Sequence, residues 1–299
     1  MTAVFLASAV FAVDFDAEWN FGDPASSEAK FRSLREAVKS EKDLNQELEL
    51  ETQIARALGL QKKFAAGHSI LDGVQKRSNR KTARARIRLE LERGRIFNSD
   101  GKRAVALPHF RTAFRLALKA PAEELAIDAA HMAAIAETRP REQLAWNLKA
   151  IGLAEKSTEE KSRKWLGSLY HNVGWAYHDS GKQTEALELF LKALTLRERE
   201  GEANNLRLAN WAVARAYRSL SRFEDAYAIQ KKLEQEYDGL KQQDGFVYEE
   251  LAELGIALNR ADESKKYFIK AYDALIKDEW FVKNEKKRMK RVKLMAGIQ

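Results

Sequence analysis

The chain has no cysteine, which excludes disulfide bridges, a thiolate nucleophile and any cysteine-ligated metal. Proline is scarce, at 4 in 299 residues, and glycine stops at 15, so helices meet few breakers. Alternating runs of Val, Ile and Thr, the mark of half-buried strands, are nearly missing. No apolar run reaches the roughly 20 residues that a bilayer-spanning helix needs. There is no Gly-rich phosphate loop, no HExxH and no GxSxG. His171 and His178 stand about 10 Å apart on one helix face at the usual rise, too far to share a zinc ion. Adjacent acids such as Glu123-Glu124 and Glu249-Glu250 diverge on a helix and read as solvated face residues. These absences point away from an enzyme and give no reason to expect a metal or a cofactor.

What is present suits packed helices. Hydrophobic residues make up 45% of the chain and charged residues 32%, a balance expected of long helices with exposed faces. The net charge of +8 is concentrated at the end, where Lys283, Lys286, Lys287, Arg288, Lys290, Arg291 and Lys293 face only Glu285. The basic balance is therefore a property of the tail and does not by itself suggest nucleic acid.

The clearest pattern runs from Trp165 to Glu200. Tyr170, Val173, Gly174 and Tyr177 form one helical stripe, and Ala186, Phe190 and Ala193 form another beyond the turn at Asp179-Ser180-Gly181-Lys182. Gly174 and Ala186 are small where two helices must approach closely. This stretch resembles a tetratricopeptide repeat, although Glu198 stands near the usual closing proline. The same pair of small residues, twelve apart, recurs at Ala55/Gly67, Gly94/Ala106, Ala214/Ala226 and Ala252/Ser264. Gly67 to Ala106 is 39 residues, Ala186 to Ala226 is 40 and Ala226 to Ser264 is 38. A further unit fits between Leu125 and Ala154, with its turn at Glu137-Thr138-Arg139-Pro140.

The expected organisation is a lead-in over 1–22, a leading helix over 23–40, six helix-pair repeats over 41–277 and a basic capping helix over 278–299. Asp23-Pro24 should open the leading helix and Ser157-Thr158-Glu159-Glu160 should form a capping box. Pro121 and Pro140 suit first turns, whereas Pro108 either marks a later start or bends its helix. Trp280, Phe281, Met289, Val292 and Met295 are expected to cover the end of the stack. The fold class is all-α, and the resemblance implies a right-handed α-solenoid with a concave groove. Thr2 to Val13 resembles the core of a signal peptide but lacks a preceding Lys or Arg. A cytoplasmic chain is the expectation, with export the alternative if residues 1–12 act as a signal.

The resemblance places on the groove a stripe lying six before, three before, one after and four after each first-helix small residue. It holds Arg56 in the first unit, then Arg88, Arg95 and Asn98, then His171, Trp175 and His178 with Asn172 beside them, then Trp211, Arg215 and Arg218. Arg suits carboxylates, and Arg and Trp often dominate binding energy. The expected partner is thus a protein or peptide segment carrying acidic groups and an apolar anchor, bound by a non-catalytic scaffold or adaptor. The alternatives are a peptide-sensing regulatory module and contact of the basic C-terminal helix with nucleic acid or another acidic surface. Oligomeric state is not legible.

Overall fold

In the computed structural model residues 13–298 are described, and every regular element among them is a helix. The candidate export segment therefore lies, apart from Val13, outside the described residues. The chain divides into two compact units, Met1–Trp165 and Leu166–Gln299.

Unit 1 begins with α1 (Pro24–Ser33) and α2 (Arg35–Ser40). Three helix pairs follow: α3 (Leu44–Leu60) with α4 (Phe64–Arg77), α5 (Ala83–Ser99) with α6 (Arg103–Ala117), and α7 (Glu123–Ala136) with α8 (Pro140–Lys156). A single turn, α9 (Glu160–Arg163), closes the unit. Unit 2 has α10 (Leu166–Asp179) with α11 (Gln183–Glu200), α12 (Ala203–Ser219) with α13 (Phe223–Gly239), and α14 (Gly245–Ala257) with α15 (Ala261–Leu275). It ends with α16 (Glu279–Asn284) and α17 (Lys286–Ala296).

Most pairs are joined by the same three-residue turn, whose middle residue is left-handed: Lys62, Gly101, Gly181, Ser221 or Asn259. In each, the residue after it donates back to a carbonyl five residues earlier, as Lys102 N does to Phe97 O at 2.8 Å and Arg222 N to Tyr217 O at 2.9 Å. This satisfies carbonyls that a helix end otherwise leaves open. The α7/α8 turn has no left-handed residue. There Glu137 accepts from the backbone of Thr138 and Arg139 and from the Arg139 guanidinium, which with those amides holds its carboxyl down at about 2.

Small residues set the approach within pairs. A methyl on Gly94 would lie 2.6 Å from the Phe110 ring, and one on Gly174 2.5 Å from Phe190. Around these contacts unit 1 builds a buried cluster from Ile87, Leu91, Ala106, Phe110 and Ala129, and unit 2 builds one from Ala186, Phe190, Ala212 and Val213.

Several local expectations need correction. The leading helix is broken at Leu34, whose N–H makes a tighter bond to Phe31 O, so that Phe31 and Val38 both join one buried cluster. Ser157 opens no capping box. Its hydroxyl accepts from Glu159 N and donates to Glu123, and the short α9 starts only at Glu160. Pro121 precedes the N-cap of α7, while α6 starts five residues ahead of Pro108 and carries it inside. The C-terminal helix is broken at Glu285, which turns Phe281 and Val292 into the same core. Trp280 does not cover the end: it is 61% exposed.

Candidate binding face

The first helices of the pairs carry the residues that the sequence marks, and the two units hold them differently. In unit 1, Arg88 on α5 is 2% exposed. Its Nε donates to Glu49 on α3 at 2.6 Å and its Nη2 donates to both Asp16 oxygens at 3.0 and 2.9 Å. Burial alone would lower the Arg88 pKa, but Glu49 and Asp16 hold it above the ordinary value. Two turns on, Arg95 donates to Glu92 at 2.5 Å and to Asp128 on α7 at 2.5 and 2.6 Å. Asn98 follows, its side-chain oxygen buried without a hydrogen-bond partner.

Arg56 on α3 is less well matched. Its nearest carboxylate is Glu92 at 3.8 Å, beyond hydrogen-bond reach, and that Glu92 oxygen has no hydrogen-bond donor. The Arg56 guanidinium instead lies 5.1 Å from the ring centres of both Trp19 and Phe21. Burial and the nearby positive Arg95 push its pKa down. A cleft of about 540 Å³ opens here, bounded by Arg56, Arg95, Asp128, Lys161, Lys164 and Trp165, with Asp14, Asp16 and Phe21 on its other wall.

That wall is the lead-in, whose position no local sequence pattern indicates. Asp16 reaches Arg88, Trp19 Nε1 donates to Gln53 on α3 at 2.9 Å, and Asp14 accepts from Lys161 at 2.7 Å. Burial would raise the Asp16 pKa, yet Arg88, Lys161 and Arg84 hold it below the ordinary 3.8.

In unit 2 the marked residues form an aromatic row backed by ion pairs. Trp175 Nε1 donates to His171 Nε2 at 3.1 Å. Ring centres step from Trp175 to Trp211 at 5.8 Å, to Phe246 at 6.5 Å and to Phe281 at 5.6 Å. The Trp211 indole nitrogen is buried without an acceptor. Asn172 lines a separate small cleft of about 170 Å³ with Ser168, His171, Arg197 and Leu208. Arg218 grips Glu250 through Nε and Nη2 at 2.7 and 2.9 Å, and Arg215 adds a contact at 3.3 Å. His178 meets Ser219 at 2.9 Å. Burial, followed by Arg197 at His171 and Arg215 at His178, lowers both imidazole pKa values. In the tail, Arg288 and Arg291 pair with Glu249 and Glu253.

The marked arginines are therefore mostly committed to carboxylates of the next first helix. The partners missed from sequence follow a rule visible afterwards: an Arg one after the small residue meets an acid two before the next one. Arg56 with Glu92 and Arg215 with Glu250 obey it, and Arg95 with Asp128 obeys it if Ala130 is the small residue of α7.

A family model for the tetratricopeptide repeat matches residues 166–200, the α10/α11 pair with its glycine-to-phenylalanine contact. This helix pair is a tetratricopeptide repeat. The fold of the chain is the TPR-like helical repeat, as solved structures confirm. The apo form of RapI is 12% identical with a TM-score of 0.68, over 89% of this chain and 77% of that one. A signal transduction ATPase from Pyrococcus horikoshii with a tetratricopeptide repeat sensor is 13% identical with a TM-score of 0.66, over 93% of this chain and 43% of that one. The apo form of the quorum sensor NprR from B. thuringiensis is 17% identical with a TM-score of 0.53, over 84% of this chain and 82% of that one. No curated protein matches the sequence. TPR-like folds are generally non-catalytic.

Proposed function

We propose that the chain is a non-catalytic protein- or peptide-binding scaffold or adaptor that engages an acidic segment at the first-helix face of unit 1. The observation that carries this reading is Arg56. It is a guanidinium held against two aromatic rings, short of a close carboxylate, at the edge of a cleft large enough for several side chains. Lys164 and Trp165 stand beside that cleft and add a charge and an aromatic wall. Guanidinium recognises carboxylate bidentately, so a segment bearing Asp or Glu next to an apolar anchor fits this chemistry. In unit 2 the row of Trp175 and Trp211, with His171, His178 and Asn172 near it, offers a second contact stretch, while Arg215 and Arg218 serve mainly to hold Glu250.

The test is Arg56→Glu in the full chain. A protein partner identified by affinity capture is purified and titrated calorimetrically against wild type and variant. The reading expects at least a tenfold loss of affinity with unchanged helical circular dichroism. Equal affinity counts against it. The sensing alternative is favoured by one observation, that a segment of the chain already lies on the proposed face.

A further inference from the structure

We infer that residues 14–21 are an internal stand-in for the partner, and that the partner is a segment with an acid followed three residues later by tryptophan and then by a further aromatic. This rests on the binding reading above and specifies its ligand.

The lead-in satisfies the chemistry that the face demands. Asp16 gives both carboxylate oxygens to the buried Arg88, at 3.0 and 2.9 Å. Trp19 gives its indole N–H to Gln53, which is fully buried, at 2.9 Å. Its ring stacks parallel on Phe21 at 4.9 Å and meets Phe31 edge-on at 5.0 Å. Arg56 lies against the Trp19 and Phe21 rings together. Without Asp16, Arg88 would keep only Glu49, so the face would present excess positive charge to an acidic segment.

The mode of attachment makes this exchangeable. The backbone bonds of the lead-in are mostly local, such as Ala17 N to Asp14 O, Glu18 N to Phe15 O and Asp23 N to Asn20 O. Asn20 N meets the Ser27 hydroxyl, and Val13 N reaches Gln46 Oε1 at 3.2 Å. Side chains, rather than a backbone ladder, therefore carry the recognition, and another segment with the same side chains can reproduce it. Phe15, 2% exposed in the cluster of Phe31, Val38 and Leu50, is the anchor that displacement must replace. Asp16 and Phe21 remain solvent-accessible, which gives an incoming segment a place to start. A tethered occupant reduces apparent affinity to the intrinsic affinity multiplied by the fraction of time the face is free.

The experiment uses the full chain and, as probe, a fluorescein-labelled peptide with the sequence of residues 13–22. Wild type is compared with the Asp14→Asn/Asp16→Asn variant by fluorescence anisotropy, and amide exchange of residues 13–22 reports release of the lead-in. Expected is faster exchange in the variant, probe binding at least tenfold tighter than to wild type, and loss of that gain when Arg56→Met is added. Arg88→Met is a second control, because Glu49 keeps Arg84. Equal, Arg56-dependent binding to wild type and variant would leave an acidic-aromatic binding face but remove the lead-in as its competitor. Absence of probe binding to a released variant overturns the inference, while the binding reading is then judged by the Arg56→Glu titration. Unchanged exchange in the variant also overturns it, since Asp14 and Asp16 would not be what holds the lead-in.

Discussion

Gly94 and Gly174 show how a single hydrogen in place of a methyl fixes a helix pair. Alanine at Gly174 would force its methyl into the Phe190 ring, and overpacking of this kind costs about 1–3 kcal/mol. Gly152 lies within α8 with nothing near the position of an added methyl, so alanine there should stabilise by about 0.5–1 kcal/mol through helix propensity. Urea unfolding of the two variants should move the midpoint in opposite directions. His171 is the second residue-scale test. Its neutral ring accepts the Trp175 indole N–H, and its folded pKa is lowered from 6.5 by burial and Arg197. The stability that it contributes is therefore complete above about pH 6.5 and is lost as pH falls from there through the lower folded value. His171→Gln, which retains an acceptor without a proton to gain, should shrink the loss of Tm between pH 7 and pH 5. The other lowered histidines, His68, His131 and His178, keep the remainder of the slope.

At the scale of elements, neighbouring first helices are tied by arginine–carboxylate pairs. Glu250, expected from sequence on a solvated face, is instead buried and receives both Arg218 and Arg215. Removing a sole partner from a buried ion costs about 3–5 kcal/mol, so redundancy should show as non-additivity. Arg215→Met should cost little, Arg218→Met more, and the double variant more than their sum, as read from chemical denaturation. Much of this layer was legible and part was not. Gly101 and Gly181 announced their turns because glycine tolerates a left-handed backbone, whereas Lys62, Ser221 and Asn259 adopt it under tertiary constraint and carry weaker signals. The Gly174 and Phe190 positions followed from periodicity. The breaks at Leu34 and Glu285 did not, because they serve the burial of residues on either side rather than any local breaker. Arg88 lies on a first helix, as its spacing implies, but it is buried, and its partner Asp16 lies 72 residues away with no local pattern to connect them.

At the scale of the whole chain, the same TPR-like helix pair is used in both units, but with different surfaces. Unit 1 offers a charged cleft beside Arg56 with the lead-in along it, and unit 2 offers a row of aromatic rings with its arginines already paired. Binding to an acidic segment should be salt-sensitive, since guanidinium and ammonium groups supply the attraction, with affinity falling as ionic strength rises. The most direct measurement is amide exchange of the full chain with and without its purified partner. Added protection is expected in α3, α5 and α7, whose faces line the cleft, with α4, α6 and α8 unchanged. Protection confined to α4, α6 and α8 would contradict it.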